Sequence, residues 1–162
     1  MKIDINNVTI REARQEDLET LYKFEQGVIS AERPYDPTLK ADPINYYDFN
    51  ALFHSADAQL VVAGYGKELI ASGYARIEKS KAYTAFDEYA YLGFMFVVPE
   101  FRGLGINTLI IAALAKWAAA RKVYELRLEV YYENEPAIRA YEKLGFSKHM
   151  IEMRLEIGQE GI

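Results

Sequence analysis

The chain contains no cysteine. That single absence removes disulfides, thiolate metal ligands and a cysteine nucleophile together, and it is compatible with a reducing compartment. Long hydrophobic runs are missing too. Leu109 to Ala115 is the longest, and Lys116 ends it well short of the ~18 residues that a membrane span takes. The N-terminal Met-Lys-Ile-Asp-Ile-Asn-Asn has no apolar h-region and no small-residue cleavage site, so the default expectation is a soluble cytoplasmic protein with no membrane partner. Basic charge is in deficit: 19 Lys and Arg stand against 24 Asp and Glu, for a net charge of −5. Nucleic-acid binders draw most of their affinity from phosphate neutralisation, so no nucleic-acid partner is expected. A cationic acceptor such as an amine is the kind of ligand this balance would steer. Histidine is scarce as well. His54 and His149 lie far apart, no metal-ligand spacing exists, and no metal is expected.

What is present reads as one globular domain over residues 1–162. The chain is 51% hydrophobic and 27% charged, ordinary values for a globular protein. No repeat or low-complexity linker interrupts it. Val8 to Arg11 reads as a strand, and Asp17 or an earlier polar residue opens a helix carrying Leu18, Leu21, Phe24 and Val28. Gly27 is expected to weaken the end of that helix. Pro34, Pro37 and Pro43 mark a loop, and a second helix is expected from Ile44 to Phe53. Asp36, Asp42, Asp48 and Asp57 make this region either a solvated face or an acidic, aromatic rim for a cationic substrate. Leu60 to Ala63 and Leu69 to Ile77 read as a hairpin. Glu88 to Val98 is a long aromatic strand with Gly93 as a candidate bulge. Ile106 to Arg121 is helical, Leu126 to Tyr131 alternates as a strand, Glu135 to Leu144 is a last helix closed by Gly145, and Met150 to Ile157 is a last strand. Strands broken by helices predict an α/β (α+β) fold with a mixed sheet.

Between the aromatic strand and the helix from Ile106 stands Val98-Pro99-Glu100-Phe101-Arg102-Gly103-Leu104-Gly105. Pro99 cannot donate to a ladder and ends the strand. Gly103 and Gly105 allow a tight turn whose N–H groups converge on one concavity. The helix adds the positive end of its dipole, and Arg102 adds a full charge. Such a turn suits phosphates, although a plain strand-to-helix connection would need the same glycines. No lysine follows them, as a P-loop requires, and Thr108 stands where a dinucleotide fingerprint has its third glycine.

Arg102-Gly103-Leu104-Gly105-Ile106-Asn107 resembles the acyl-CoA motif Arg/Gln-x-x-Gly-x-Gly/Ala of the GNAT N-acetyltransferases, departing from it at Asn107. A second block, Leu128-Glu129-Val130 followed by Asn134, Ala137, Tyr141 and Leu144-Gly145-Phe146, resembles the family's Leu-x-Val…Asn-x-x-Ala…Tyr-x-x-x-Gly-Phe, in the family's order and spacing. The resemblance implies a mixed, mostly antiparallel central sheet of six to seven strands, splayed at the acyl-CoA site and flanked by about four helices. It implies an N-acetyltransferase that moves an acetyl group from acetyl-CoA to a primary amine of a small molecule or a peptide.

The same resemblance assigns residues. Backbone groups of Phe96 and Val98, with Val97 adjoining, would hold the pantetheine amides. Arg102, Gly103, Leu104, Gly105, Ile106, Asn107 and Thr108 would cradle the pyrophosphate. Asn134, with Ala137 beside it, would contact the pantetheine arm, though Asn134 also suits an N-cap. With no cysteine for a covalent intermediate, direct attack in a ternary complex is expected. Tyr141 is the candidate general acid toward the thiolate, or else a core tyrosine. Glu129 is a candidate base, or a surface partner of Arg127 on the same strand face. Glu88 and Asp87 are alternative bases, and a water chain is another. A non-catalytic acyl-CoA-binding or scaffolding protein of the same fold is the competing function. A homodimer through the aromatic-rich strands is an expected partnership.

Overall fold

Residues 2–161 are described by the structure, a computed structural model. They fall into two units, divided after Glu129. In the first, five strands pair in the order β1 (Val8–Glu12), β2 (Ala58–Tyr65), β3 (Glu68–Lys79), β4 (Glu88–Val97) and β5 (Leu126–Arg127). The first three pairings are antiparallel, and the β4–β5 pairing is parallel. The sheet is thus mixed and mostly antiparallel, as expected, but it has five strands and not six to seven. The expected strand from Leu126 to Tyr131 pairs with the sheet only at Leu126 and Arg127. Met150 to Ile157 has the strand pattern but no ladder partner among the described residues, and its Met150, Ile151, Met153, Leu155 and Ile157 are exposed. Alternation marks a chain able to pair; pairing itself takes a neighbour's backbone.

Four α-helices accompany the strands among the described residues: α1 (Leu18–Glu32), α2 (Phe49–His54), α3 (Ile106–Ala120) and α4 (Glu135–Lys143). None is long and apolar enough to cross a membrane. One face of the sheet meets α1 and α2 through Leu21, Phe24, Val28, Phe49, Leu60, Val62, Tyr74 and Phe94. The other face meets α3, whose Ile110 packs on Gly73 of β3; a Cβ at Gly73 would fall 2.6 Å from Ile110 Cγ2. Fully burying each such aliphatic side chain contributes about 1.5–3 kcal/mol.

Two local expectations change for reasons of tertiary contact. α1 runs through Gly27 to Glu32, because at Gly27 the missing side chain makes room for Phe96, whose Cε2 would lie 2.5 Å from a Cβ. The second helix begins at Phe49, later than expected. Glu25, fully buried on α1, accepts the N–H groups of Tyr46 and Tyr47 at 3.0 and 2.8 Å, so these residues stay outside the helix. Asp48 then caps α2 by accepting from Ala51 N–H at 3.0 Å. The start of α1 is fixed likewise. Arg11 of β1 grips Asp17 with two hydrogen bonds of 2.7 and 2.8 Å, and Asp17 also accepts the Arg14 N–H.

The second unit, Val130 onward, is built on α4. Asn134 caps it by accepting from Ala137 N–H, and Gly145, at φ 101°, ends it in the left-handed conformation expected of that residue.

Candidate active site

β4 ends in a connection built almost entirely from its own backbone. Val98 N–H donates to Ile70 C=O on β3 at 2.9 Å, and Phe101 N–H returns to Val98 C=O at 3.0 Å in a single 3₁₀ turn. Gly103 and Gly105 follow at φ 75° and 83°, conformations that glycine takes without the penalty a Cβ brings. α3 then starts at once, with Thr108 and Leu109 N–H both directed to Gly105 C=O. Among the described residues, no backbone carbonyl takes the N–H groups of Gly103, Leu104, Gly105, Ile106 or Asn107. These donors sit at the positive end of a 15-residue helix, the arrangement that binds anions. Asn107 leaves this helix start intact. Arg102 is folded back, its Nε donating to Val97 C=O at 2.9 Å and its guanidinium lying over the Phe96 ring. A cavity of about 440 Å³, lined by Lys2, Ile3, Asp4, Ile5 and Leu104, borders the loop.

On its other edge β4 pairs with β5 only at Ala90–Leu126 and Tyr91–Arg127, and among the described residues no strand pairs with the edge beyond. Alternation decides which residue faces that edge. Val98 gives its N–H to β3 and its carbonyl to Phe101, and Phe96 is paired with Ser72 on the β3 side. Of the three residues expected to offer backbone groups, Val97 is the one directed away from β3, its carbonyl accepting from Arg102.

A bulge lies on the same stretch. Ser72 pairs with Phe96 and Tyr74 with Gly93, so β4 carries an extra residue between. Phe94 adopts φ 56°, and its carbonyl takes the buried Ser72 hydroxyl at 3.0 Å. Gly93, expected as the bulge, sits beside it and has another function. A Cβ there would lie 2.4 Å from the Tyr74 ring.

The expected acid–base groups separate by position. Glu88 and Asp87 are at the opposite end of β4 from the loop, nine residues and about 30 Å from Val97 for Glu88. Glu129 is exposed and lies two residues beyond the Tyr91–Arg127 pair. It does not use Arg127, which instead donates to Glu125 at 2.6 Å and stacks on Tyr89 at 3.9 Å. Burial, and after it the Glu129 carboxylate, push the Tyr91 hydroxyl up to about 12. In the second unit, Tyr141 is half-buried on α4, its ring edge-on to Phe146 at 5.8 Å. Asn134 performs the capping role, and Ala137 supplies the capped N–H.

Sequence reasoning missed most of a groove of about 290 Å³ on the α2 side of the sheet, lined among others by Tyr46, Tyr47, Leu52, Ala58, Tyr74 and Arg76. Tyr47 meets Tyr74 edge-on at 5.9 Å, and Tyr74 meets Tyr91 at 6.5 Å. Burial raises the Tyr47 and Tyr74 hydroxyls above their ordinary range. Burial likewise raises the Glu32 carboxyl at the end of α1, against a hydrogen bond from Tyr46. A signal was available: Glu25 and Glu32 fall on the apolar stripe of Leu21, Phe24 and Val28, where a solvated carboxylate does not belong.

The comparisons with known proteins follow the same lines. The Acetyltransferase (GNAT) family matches residues 15–146. An N-alpha-acetyltransferase of Sulfurisphaera tokodaii is 29% identical over 142 residues, covering 86% of this chain and 80% of the relative. A thialysine N-epsilon-acetyltransferase of Mus musculus is 28% identical, covering 84% and 82%. A solved structure of a tetramutant of the BH1408 protein from Bacillus halodurans has a TM-score of 0.80 at 22% identity, covering 92% of this chain and 99% of that one. A predicted acetyltransferase from Clostridium acetobutylicum, solved with acetyl-CoA, has a TM-score of 0.70 at 18% identity, covering 92% and 96%.

Proposed function

The chain belongs to the acetyltransferase (GNAT) family and is an acetyl-CoA-dependent N-acetyltransferase, and we propose that it acetylates a primary amine by direct attack in a ternary complex, the amine entering through the tyrosine-lined groove. In this reading both units serve one catalytic domain over residues 1–162. The observation that carries it is the run of N–H groups from Gly103 to Asn107 at the start of α3, which fits a pyrophosphate. Arg102 to Thr108 hold that group, and the open edge at Val97 takes the pantetheine amides.

The amine must lose a proton, and the sulfur must gain one. Glu129, beside Tyr91, receives the amine proton directly or through water. The nitrogen attacks the thioester carbonyl carbon, the carbon–sulfur bond breaks, and Tyr141 protonates the departing thiolate. Glu88, at the end of β4 away from the loop, is not used in this reading. Asn134 and Ala137 keep the pantetheine-side role that their motif suggests. The acceptor is an α-amine of a peptide or the amine of a small molecule, the two classes represented by the relatives' names.

Acetyl-CoA at a hundred times its dissociation constant should stabilise the fold by about 2.7 kcal/mol, a rise in Tm of roughly 5–10 °C for a domain of this size. Thiol release across a library of peptide and small amines then tests turnover. A Tm rise without release from any amine would favour a binding or scaffolding protein, and no rise would mean that the loop is misread.

A further inference from the structure

Arg76 is the one positively charged side chain lining the acceptor groove among the described residues. It lies on the same face of β3 as Tyr74, two residues on, and opposite Tyr91 of β4. Its guanidinium carbon stands 5.8 Å from the Tyr74 ring centre and 5.5 Å from that of Tyr91. Two ring faces therefore fix the cation in place. Nε donates to Glu78 on the same strand, while the planar fork keeps further donors for a second carboxylate. That ion pair is exposed on both sides, with 46% and 38% of the side-chain surfaces accessible. Such pairs hold weakly and exchange partners readily. Glu78 thus shows the geometry in which a carboxylate is accepted here without sealing the site. Asp48, the groove's acidic lining residue, is spent on capping α2, and Glu32 and Glu129 are the other carboxylates whose charge is felt at the groove's Tyr47 and Tyr74.

The spacing fixes the scale of a ligand. Arg76 pairs with Tyr91, Tyr91 with Arg127, and Glu129 lies two residues further on. The backbone of Glu129 is thus about 10 Å across the sheet and about 7 Å along it from that of Arg76. Side chains anchored that close hold their charged ends within the span of one or two amino-acid units.

We propose that Arg76 is a specificity-determining residue that selects acceptors carrying a carboxylate a few bonds from the reactive amine: a free amino acid, or a peptide with an acidic residue beside its N-terminus. It takes the acceptor to enter by the groove with its amine toward Glu129, as proposed above. Arg76 acts on binding and not on the chemical step, so its effect belongs in KM.

The test uses the full chain with saturating acetyl-CoA and three matched pairs of acceptors: free glutamate against glutamine, a Ser-Glu against a Ser-Gln peptide, and a Ser-Asp against a Ser-Asn peptide. Wild type should favour the acidic member of at least one pair tenfold or more in kcat/KM, carried by KM. The pair that shows it separates the free amino acid from the peptide. Arg76→Gln should bring the ratio within twofold, Arg76→Lys should keep part of it, and Glu78→Gln should raise it. Each variant must retain the acetyl-CoA-induced rise in Tm, which reports an intact cofactor loop. Equal use of both members, a preference for the neutral one, or a preference that survives Arg76→Gln overturns the inference while leaving N-acetylation standing. Calorimetric binding of the same compounds to the CoA-loaded protein covers the case of no turnover. Acidic-selective binding that Arg76→Gln abolishes supports the inference even if the catalytic reading fails, and binding of neither member overturns it.

Discussion

Glu25→Ala should be among the most damaging substitutions in the first unit, and its cost can be built from the contacts. The side chain is fully buried, and its Oε2 accepts the N–H groups of Tyr46 and Tyr47 at 3.0 and 2.8 Å. Hydrogen bonds to a charged group contribute about 1.5–3 kcal/mol each. Losing both, with some water refilling the space, comes to about 3–4 kcal/mol. For a domain of this length, 1 kcal/mol moves Tm by about 2–4 °C, so Tm should fall by roughly 10 °C. Glu25→Gln keeps one acceptor oxygen in place and should cost about 1 kcal/mol, or roughly 3 °C. The functional consequence is as specific. Tyr46 and Tyr47 line the groove, whereas the Gly103–Asn107 loop lies on another connection, so acceptor KM should rise while the acetyl-CoA-induced shift in Tm persists. Thermal unfolding followed by circular dichroism, with and without acetyl-CoA, reads all of this. A fall of less than 2 °C for Glu25→Ala, or equal falls for Ala and Gln, would refute the view that this carboxylate holds the 46–47 segment.

Asp17→Asn should cost about 2 kcal/mol at pH 7, between the values for exposed and buried pairs, since Asp17 is buried while Arg11 is one-third exposed. The hydrogen bonds from Arg11 hold the Asp17 carboxyl below its ordinary value of 3.8. Its contribution is therefore complete above 3.8 and lost as pH falls through the lower folded value. In urea titrations the gap between wild type and Asp17→Asn should close in that acid range, and a gap independent of pH would contradict the pairing. Gly27→Ala pits a helix gain of about 1 kcal/mol against overpacking of about 1–3 kcal/mol. The ring it meets, Phe96, is held between Phe24 at 4.9 Å and Arg102 at 5.8 Å. The net result should be a lower Tm and weaker acetyl-CoA binding, and a rise in both would mean that the ring moves freely.

What was legible in the sequence is what is local in the sequence. The turn from Val98 to Gly105 takes eight consecutive residues, and its glycines, proline and helix start are all visible there. The Asn134 cap and the Gly145 terminus are local too, and both were read correctly. The groove was not legible, because it depends on a carboxylate on α1 reaching residues 21 and 22 positions later. Strand number failed for a related reason. Whether Val130, Tyr131 or the segment from Met150 joins a sheet depends on a neighbouring backbone, and alternation cannot reveal one.

One feature of β4 was written in the sequence in a form that simple alternation hides. Tyr89, Tyr91 and Gly93 are odd-numbered, whereas Phe94 and Phe96 are even-numbered, yet all five belong to one face. Tyr91 meets Tyr74, Gly93 faces the Tyr74 ring, Phe94 meets Tyr47 and Phe49, and Phe96 meets Phe24. A regular strand cannot do this, since a shift of one residue sends every following side chain to the other face. The bulge at Phe94 absorbs the extra residue. Because of it, Tyr91 can pack against Tyr74 of the groove while Phe96, five residues on, fills the gap left by Gly27 on the same side. The displaced register also sets Val97, and not Phe96 or Val98, on the edge that β5 leaves open. The change of parity between Tyr91 and Phe94 is thus the link between the two halves of the site. Deleting Met95 should abolish it, closing the strand to a regular ladder in which Phe96 stays opposite Ser72 while Phe94 turns away from Tyr47 and Phe49, and a lower Tm with a raised acceptor KM would report the loss.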